Sequence, residues 1–456
     1  MMSTILSSIF FFIIAIGVLV TVHEFGHYWV ARKLGVKVLR FSIGFGKPLW
    51  IWRRGPDNTE YVIAAVPLGG YVKMLDEREA PVEQREVHRA FNRKPLASRF
   101  AIVFAGPLFN FLLAIAAYWV IFIIGVSGLK PIVGEVTPGS IAQRGGFQQG
   151  DVILSLNGKP TPTWETVVFS MLDKALDQQV VTVQVQDASR HTMTRTLGLS
   201  AVTGHDLDQG NLLDSLGMRP YRPAIPPIIG QLESGGAAER AGMAEGDKIV
   251  AADGQAIGDW EAWVGHVRPR AGRVIHVEVE RQGARRTIEL QPVATATKEG
   301  TIGRIGAGVK APGELPEELR AVQRYSPGDA VAQAVSKTWD MSALTLRMLF
   351  KMVTGVLSVD NLSGPISIAQ YAGYSASAGV VSFLGFLAIV SISLGVLNLL
   401  PVPLLDGGHL MYYLIEWIKG SPVSDEAQIF GQRVGIALLG TLMIFAFYND
   451  LARLFG

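Results

Sequence analysis

Four long stretches of the chain lack charged side chains, and they give the sequence its most regular pattern. Residues 1–22 form the first stretch, and Phe100 to Leu129 form the second. The third covers residues 361–405, of which about 379–400 would span because the start is rich in Gly and Ser. The fourth covers Val434 to Asn449. Since a bilayer core about 30 Å thick requires about 20 helical residues, the pattern predicts four membrane-spanning helices.

The bulk composition agrees with a membrane protein that also has soluble parts. The chain has 456 residues, enough for about three domains. It is 49% hydrophobic and only 18% charged, against a typical charged fraction of about 25%. The sequence contains no cysteine, which excludes disulfides and thiolate metal ligands. No Lys or Arg precedes the first apolar stretch, so we expect a retained helix rather than a cleaved signal peptide.

The distribution of charge predicts the orientation of the chain in the membrane. Residues 32–99 hold 14 Lys and Arg against 7 Asp and Glu, so the positive-inside rule puts this connection in the cytoplasm. The long segment 130–360 then lies outside, which in a Gram-negative cell is the periplasm. We therefore expect a multi-pass protein of the inner membrane. The total net charge of +2 does not indicate a nucleic-acid partner, and none is expected.

A sequence repeat lies between the second and third apolar stretches. Residues 134–165 align without a gap to residues 230–261, with 11 of 32 positions identical. A period of 96 residues is too long for a solenoid and indicates a duplicated small domain. Each copy has a Gly-Asp pair before an apolar strand, which resembles the PDZ family in the circularly permuted form found in bacterial proteases. The resemblance implies two α+β domains that bind peptides at a sheet edge, and the alternative is that both are only spacers.

The repeat and the apolar stretches together predict the domain organisation. The predicted segments are 1–126 (two spans and a cytoplasmic part), 127–221 (first PDZ domain), 222–311 (second PDZ domain), 312–360 (linker and surface helix) and 361–456 (two spans). Residues 335–357 predict the surface helix, since four charged residues share one helical face: Lys337, Asp340, Arg347 and Lys351. An amphipathic helix on the membrane surface fits this pattern, and packing against the second PDZ domain is the alternative.

The candidate chemistry begins at the end of the first apolar stretch, where the chain reads HEFGH at 23–27. Positions four apart face the same way on a helix, so His23 and His27 can hold one metal ion. Glu24 lies about 100° round the helix, where it can serve as a general base. Zinc lowers the pKa of a bound water to about 7, which provides hydroxide at neutral pH. The alternative is a histidine pair at the membrane interface that only packs.

A catalytic zinc usually has three protein ligands and one open position. Without cysteine, the third ligand must be His, Asp or Glu, and the sequence NLLPVPLLDGGH at 398–409 offers Asp406 and His409. Asp406 follows directly on the apolar stretch, so we expect it to be the ligand and His409 to be a neighbour. The alternative for Asp406 is an N-cap of the helix that follows.

These motifs together resemble the site-2 protease family of intramembrane zinc metalloproteases. HEFGH at 23–27, AGPLFN at 105–110, the repeated PDZ-like pattern and NLLPVPLLDGG at 398–408 occur in the family's order over nearly the full length. The resemblance implies that His23, His27 and Asp406 bind zinc and that Glu24 is the catalytic base. It also implies that Asn398 binds substrate, for which an interhelical hydrogen bond is the alternative. Gly106-Pro107 predicts a close approach or a kink in the second span.

Residues 36–75 resemble a further feature of this family, a β-hairpin that re-enters the membrane beside the metal. Two alternating segments predict its strands, and Gly44 and Gly46 are expected to form a tight turn at lipid level. The edge of this sheet would pair with a substrate helix that has unwound. Tyr71 would help to hold that segment, or would serve as an interfacial anchor.

The functional hypothesis is therefore an intramembrane zinc endopeptidase. By resemblance, its substrates are single-pass membrane proteins such as an anti-sigma factor, together with remnant signal peptides. The PDZ pair would exclude uncut ectodomains or bind newly exposed C termini. A catalytically inactive PDZ-bearing membrane adaptor is the main alternative, and a zinc-dependent transporter is a weaker one because polar residues are few along the predicted spans.

Overall fold

A computed structural model describes residues 2–177, 179–203, 206, 211–297, 300–310, 316–358 and 363–455. Its α-helices, numbered along the chain, are α1 Met2–Lys33, α2 Leu96–Ile124, α3 Ile141–Arg144, α4 Trp164–Ala175, α5 Leu212–Leu216, α6 Ala237–Arg240, α7 Trp260–Val267, α8 Pro327–Val353, α9 Pro365–Ser377, α10 Val380–Leu399, α11 Asp406–Lys419 and α12 Asp425–Phe455. Short 3₁₀ helices cover Val87–Arg89, Phe91–Arg93, Leu199–Ala201 and Glu317–Leu319.

The strands lie before, within and after the repeat. They are β1 Val38–Arg54, β2 Thr59–Met74, β3 Val126–Leu129, β4 Val133–Val136, β5 Val152–Leu156, β6 Lys159–Pro160, β7 Val180–Gln186, β8 Thr192–Gly198, β9 Met218–Pro220, β10 Ile229–Leu232, β11 Lys248–Ala252, β12 Gln255–Ala256, β13 Ile275–Arg281, β14 Ala284–Leu290, β15 Val293–Thr297, β16 Gly300–Arg304, β17 Ala307–Val309 and β18 Arg320–Gln323.

The four predicted spans are confirmed as helices of sufficient length and hydropathy, namely α1, α2, α10 and α12. Helix α1 continues beyond its uncharged part to Lys33, so its last turns carry the HEFGH motif. Helix α2 ends at Ile124, before the charge-free stretch does, and the following residues form β3, which pairs with β18. Hydropathy alone does not distinguish these last apolar residues from the span. Strand pairing satisfies their backbone N–H and C=O groups as well as a helix would.

Helix α2 is the central helix, and it packs against α1 on one side and α10 on another. The contact with α1 is made at Gly26, where a side chain would collide with the backbone of Ala105. The contact with α10 buries small and apolar residues such as Ala114, Ala388 and Ile392. Small residues allow helices to approach closely in a membrane, where van der Waals packing replaces the hydrophobic effect between helices. This approach explains the predicted role of Gly106-Pro107 as a close contact.

The β1–β2 hairpin is a bent sheet of four segments, because both of its strands change partners along their length. Residues 38–43 pair with 70–74 on one side and with 60–63 on the other, while 48–54 pair with 59–64. The segment 70–74 is therefore an edge of this sheet. The opposite edge of the sheet, residues 48–54, exposes apolar side chains. The exposed fraction is 71% for Leu49 and 66% for Trp50.

The predicted turn at Gly44 and Gly46 falls where β1 reverses its direction. Both residues lie within β1 with φ of +91° and +85°. Residues 40–43 run parallel to 60–63, whereas 50–54 run antiparallel to 59–63, so the chain reverses between residues 43 and 50. Glycine adopts positive φ readily and permits this sharp bend. A second turn at residues 55–58 joins β1 to β2.

The two repeat units, defined here as β4 to β9 and β10 to β17, have the same architecture. Their four-stranded sheets have the equivalent orders β6-β5-β7-β8 and β12-β11-β13-β14. The repeated Gly-Asp pair has a structural cause, since Gly150 and Gly246 have φ of +92° and +88°. In the second unit, the buried Asp247 accepts hydrogen bonds from Arg281 at 2.6 and 2.7 Å and from the Ala244 N–H at 2.9 Å.

Helix α8 connects the first repeat unit to the membrane helices. The Lys337 ammonium lies 4.5 Å from the ring centre of Phe169 on α4, and Arg347 donates to Asp173 at 2.7 Å. Burial lowers the pKa of Lys337, which the negative charges of Glu165 and Asp340 oppose. The predicted amphipathic helix is thus present but longer than 335–357. Its charged face contacts the first unit, so the expected alternative of packing on the second is wrong.

An apolar stripe on the opposite face of α8 is exposed, and it consists of Val331, Val335, Trp339, Leu346, Phe350 and Val353. These positions follow helical spacing on one side of α8. An apolar stripe of this length on a surface helix is typical of a helix that lies against lipid.

The last span, α12, contacts other parts of the described protein at two places. In its first half, a side chain at Gly435 would collide with the Pro403 carbonyl. Near its end, Asp450 is 1% exposed and accepts hydrogen bonds from the N–H groups of Gly364, Ile366 and Ser367 at 3.0, 2.9 and 3.2 Å. The Ser367 hydroxyl donates to the same carboxylate at 2.5 Å. One aspartate therefore caps the start of α9 and fastens α12 to it.

Replacement of this capping carboxylate provides a test of the fold. We expect Asp450→Ala to lower the free energy of unfolding by about 2 kcal/mol or more, because hydrogen bonds to a charged group are lost and buried donors are left without an acceptor. Thermal unfolding of the detergent-solubilised full chain measures this change. Glu426→Ala, an exposed carboxylate in the first turn of α12, is the matched control and should change stability by less than about 0.5 kcal/mol. Equal unfolding midpoints for the two variants would contradict the capping role.

Candidate metal centre

Three side chains from distant parts of the chain meet at one point between α1, α2 and the start of α11. The Asp406 Oδ2 atom lies 3.2 Å from His23 Nε2 and 3.4 Å from His27 Nε2. The two imidazole Nε2 atoms are 3.2 Å apart. The predicted ligand set is thus brought together, although 379 residues separate His27 from Asp406 in the sequence.

The separations among these three atoms agree with a tetrahedral zinc site. Zinc ligands at about 2.0–2.1 Å from the ion lie about 3.3 Å from one another. The Asp406 Oδ2 atom is buried and accepts no hydrogen bond from the described residues, as expected for an oxygen that is a metal ligand. Two imidazoles and one carboxylate form the ligand set of a catalytic zinc, with the fourth position open to water or substrate.

The chain around Asp406 is shaped so that its carboxylate faces the two histidines. Helix α10 ends at Leu399, and α11 begins at Asp406. Gly407 lies directly against the backbone of Leu399 and Leu400, where a Cβ has no room. The N-cap position belongs to Leu405, and no side chain caps this helix. The alternative of Asp406 as an N-cap is therefore wrong.

His409 is a neighbour of the centre and does not belong to it, as the sequence predicts. Its imidazole is exposed and lies edge-on to the Tyr412 ring at 6.4 Å. The group of potential ligands consists of His23, His27 and Asp406 without it.

Helix α2 supports both imidazoles from the side opposite to Asp406. His27 Nδ1 donates to the Ile102 carbonyl at 2.8 Å, and the Asn110 amide lies 3.2 Å from His23 Nδ1. A Cβ at Gly106 would lie within 3 Å of both rings, so only glycine leaves room for them. Asn110 and Ile102 are not among the site residues predicted from the sequence. The AGPLFN motif was the signal available for Asn110.

Glu24 is adjacent to the centre and to the edge of the hairpin sheet. A Cβ placed on Gly70 would lie 2.9 Å from the Glu24 Cγ atom and 2.8 Å from Val20 Cγ1. Gly70 pairs with Ile43 at the end of the edge segment. The expected hairpin therefore contacts the helix that carries the candidate base.

The predicted substrate-binding residues have different environments. Tyr71 lies next to Gly70 on the edge segment, stacks on Phe45 at 6.3 Å, and its hydroxyl accepts from Arg40 at 3.2 Å. Asn398 is half-buried in the last turn of α10. Gly44 packs close to the backbone of β2. Of these residues, only Tyr71 is next in sequence to a residue that lies against the site, namely Gly70, which packs close to Glu24.

An ion pair beyond the centre holds α11 against α2. Arg99 donates to Glu416 at 2.6 and 3.2 Å, and its guanidinium lies 5.1 Å from the ring centre of Tyr413. Burial raises the pKa of Tyr413 to about 12, although Arg99 opposes the shift. This contact fixes the far end of the helix whose first residue is Asp406.

Comparison with known proteins identifies the family. Residues 11–442 match the family described as "Peptidase family M50". The chain is 46% identical to "Regulator of sigma E protease" of Salmonella typhi, over 99% of this chain and 100% of that protein. It is 45% identical to "Regulator of sigma-E protease RseP" of Escherichia coli strain K12, over 97% and 98%, and 42% identical to "Putative zinc metalloprotease" of Vibrio cholerae, over 99% and 100%. The chain therefore belongs to peptidase family M50, the site-2 type of zinc metalloproteases.

Proposed function

We propose that this zinc metalloprotease cleaves single-pass membrane proteins within their transmembrane segments, using His23, His27 and Asp406 to hold zinc and Glu24 as the general base. The observation that carries the proposal is the meeting of the three ligand atoms at 3.2–3.4 Å. Two of them lie on a helix long and apolar enough to span a membrane. A polar centre on such a helix is expensive in lipid and is therefore expected to serve a function.

The residues of this chain have separate roles in the proposed reaction. When bound, zinc polarises the scissile carbonyl and makes hydroxide available near neutral pH. Glu24 accepts the proton of the attacking water and transfers it to the leaving amide nitrogen. The imidazole hydrogen bond to Ile102 and the amide of Asn110 fix the rings against α2. Water reaches the centre from the cytoplasmic side in this proposal.

A substrate helix must be extended before its peptide bonds can be attacked, and we propose that the hairpin provides this function. A helical peptide bond has its carbonyl engaged in the helix and is shielded by side chains. The edge segment 70–74 offers strand pairing, and it begins beside Glu24. The exposed apolar residues at Leu49 and Trp50 favour insertion of the hairpin tip into lipid. Tyr71 and Asn398 would hold the extended segment.

We also propose that Gly44 and Gly46 act by allowing β1 to reverse its direction beside the edge segment. Their positive φ values bend the strand that pairs with the edge segment. The bend would set the angle at which an added substrate strand approaches the centre.

We propose that the protein is a multi-pass protein of the inner membrane with its catalytic centre near the cytoplasmic face. The excess of Lys and Arg in 32–99 supports this orientation. Residues 127–221 and 222–311 would then be periplasmic PDZ domains. The equivalent sheets of the two repeat units and their shared Gly-Asp turn support the duplication.

The second repeat unit contains the feature that best supports peptide binding. A groove of about 640 Å³ lies between α7 and residues 302–308, with Trp260, Val264 and Val267 on its apolar side. An apolar groove between a helix and a short strand can accept an extended chain end. We propose that this groove binds the C terminus of a substrate already shortened in the periplasm. We also propose that the two PDZ domains together exclude substrates whose ectodomains are uncut.

The names of the relatives suggest a class of substrate. Two of them are named "Regulator of sigma E protease" and "Regulator of sigma-E protease RseP". An anti-sigma factor is therefore the substrate class that we propose for this chain. Remnant signal peptides are a second class, since they also are single apolar helices.

Substitution of the base separates the protease from a membrane adaptor. We expect Glu24→Gln to retain zinc, because Glu24 is not among the three ligands, and to reduce cleavage of a model transmembrane substrate by at least about 100-fold, the scale of general-base catalysis. Product formation and zinc content of the purified full chain are the measurements. Equal cleavage by wild type and Glu24→Gln would exclude the proposed base, while an inactive wild type with bound zinc would favour the adaptor.

A methyl group beside the imidazoles should disrupt zinc binding. We expect Gly106→Ala to reduce zinc content to below about one tenth of the wild-type value, because the added Cβ occupies the space of both rings. Gly17→Ala is the matched control on α1, since a Cβ there has nothing within 4 Å. Metal analysis after gel filtration checks both variants. Full zinc occupancy in Gly106→Ala would contradict the described packing.

A charged side chain introduced on the apolar side of the groove tests the proposed peptide binding. We expect Val264→Arg to weaken binding of a peptide with a free apolar C terminus by at least about tenfold, which corresponds to about 1.4 kcal/mol. Ala262→Arg, on the exposed side of the same helix, should bind like wild type. Fluorescence anisotropy with the full chain measures both. Unchanged affinity in Val264→Arg would remove the groove from the proposal.

A further inference from the structure

We propose that Asn110 is a positioning residue that accepts a hydrogen bond from His23 and thereby holds this imidazole in the tautomer that binds zinc. The inference rests on the zinc ligation proposed above and assigns a role to a residue outside the ligand set. Asn110 is 0% exposed in the middle of α2, and its amide nitrogen lies 3.2 Å from His23 Nδ1.

The geometry of His23 determines which of its nitrogens carries hydrogen. Its Nε2 atom faces His27 Nε2 at 3.2 Å and Asp406 Oδ2 at 3.2 Å, so this is the atom that binds the ion. A nitrogen that binds a metal has no hydrogen, and the neutral ring therefore carries its hydrogen on Nδ1. Nδ1 then needs an acceptor.

The oxygen and the nitrogen of the Asn110 side-chain amide differ in their hydrogen bonding. Oδ1 is buried and has no hydrogen-bond partner among the described residues, whereas Nδ2 faces His23 Nδ1. Two hydrogen-bearing nitrogens would then face each other, which is unfavourable. The oxygen and nitrogen of an amide have nearly the same shape, and their assignment follows from the hydrogen-bond network. A rotation of the amide by 180° directs Oδ1 to Nδ1–H and gives the bond that zinc ligation requires.

The second imidazole supports this assignment. His27 Nδ1 donates to the Ile102 carbonyl at 2.8 Å, so His27 already has an acceptor on α2. Ile102 and Asn110 are eight residues apart, about two helical turns, and both approach the centre from the same helix. Metal-binding histidines usually donate their second N–H to a carboxylate or carbonyl oxygen, and loss of that partner weakens metal binding about 10- to 100-fold. Helix α2 would supply one acceptor to each ring.

Asn110 also makes a hydrogen bond with α10, but through its backbone and not through its side chain. The Ser391 hydroxyl donates to the Asn110 backbone carbonyl at 2.7 Å. Ser391 also provides a control, since its hydrogen bond lies at the same level of the helix pair and does not reach the imidazole.

The test compares zinc affinity in Asn110→Asp, Asn110→Leu and Ser391→Ala. Each full-length variant is purified in detergent and titrated with a zinc chelator of known affinity. The absorption spectrum of the cobalt-substituted form reports the ligand geometry. We expect Asn110→Leu to bind zinc about 10- to 100-fold more weakly, with an altered cobalt spectrum. Asn110→Asp should bind within about threefold of wild type or more tightly, because a carboxylate accepts from Nδ1–H and retains the function. Ser391→Ala should bind like wild type.

Asn110→Asp decides the question even if Asn110→Leu does not fold. A carboxylate cannot donate, so a loss of more than tenfold in Asn110→Asp would show that the amide donates to His23 and would overturn the proposal. Wild-type affinity in a folded Asn110→Leu would overturn it as well. If wild type itself holds no stoichiometric zinc, the failure lies in the proposed ligation by His23. If wild type holds zinc but the Asn110 variants do not show the expected zinc affinities, the zinc ligation stands and the proposed role of Asn110 is wrong.

Discussion

The close approach of α1 to α2 is the contact on which the candidate metal centre depends. Gly26 on α1 meets the Ala105 backbone, and Gly106 on α2 leaves the space that the two imidazoles occupy. Without these two glycines the helices would separate, and the histidines would have no polar support within an apolar bundle. The backbone of α2 then supplies an acceptor to His27 at Ile102, which satisfies a donor that lipid would leave unpaired.

Asp406 reaches the candidate metal centre by a different physical route. Two prolines interrupt the apolar stretch after α10, and Gly407 allows the chain to turn directly against the end of that helix. Asp406 becomes the first residue of α11, so its position depends on how α11 is held. The ion pair of Arg99 with Glu416 secures the far end of α11 to α2. The same helix that carries Gly106 thus aligns both the histidines and the aspartate.

The β-rich part between α2 and α8 contains two units of the same architecture, but these units have different contacts. Helix α4 of the first unit receives the charged face of α8 through Phe169 and Asp173, which connects this unit to the membrane helices. The equivalent helix of the second unit, α7, borders the open groove. Sequence identity between the repeats reflects the Gly-Asp turn and the apolar core, which both units need in order to fold. It does not specify which outer face of each unit is covered.

Sequence alone predicted the four spans, the duplication and the three side chains that meet at the candidate metal centre. Each of these depends on local features: hydropathy over about 20 residues, helical spacing of histidines, and the scarcity of ionisable groups at membrane depth. It did not determine the order of the segments in the hairpin sheet, because that order depends on which segments pair across the sheet, and no local pattern specifies it. The partner of α8 and the contact of Asn110 with His23 were also decided only by the tertiary structure. These contacts join residues far apart in the chain, and their identity depends on how helices approach one another, which no local pattern encodes.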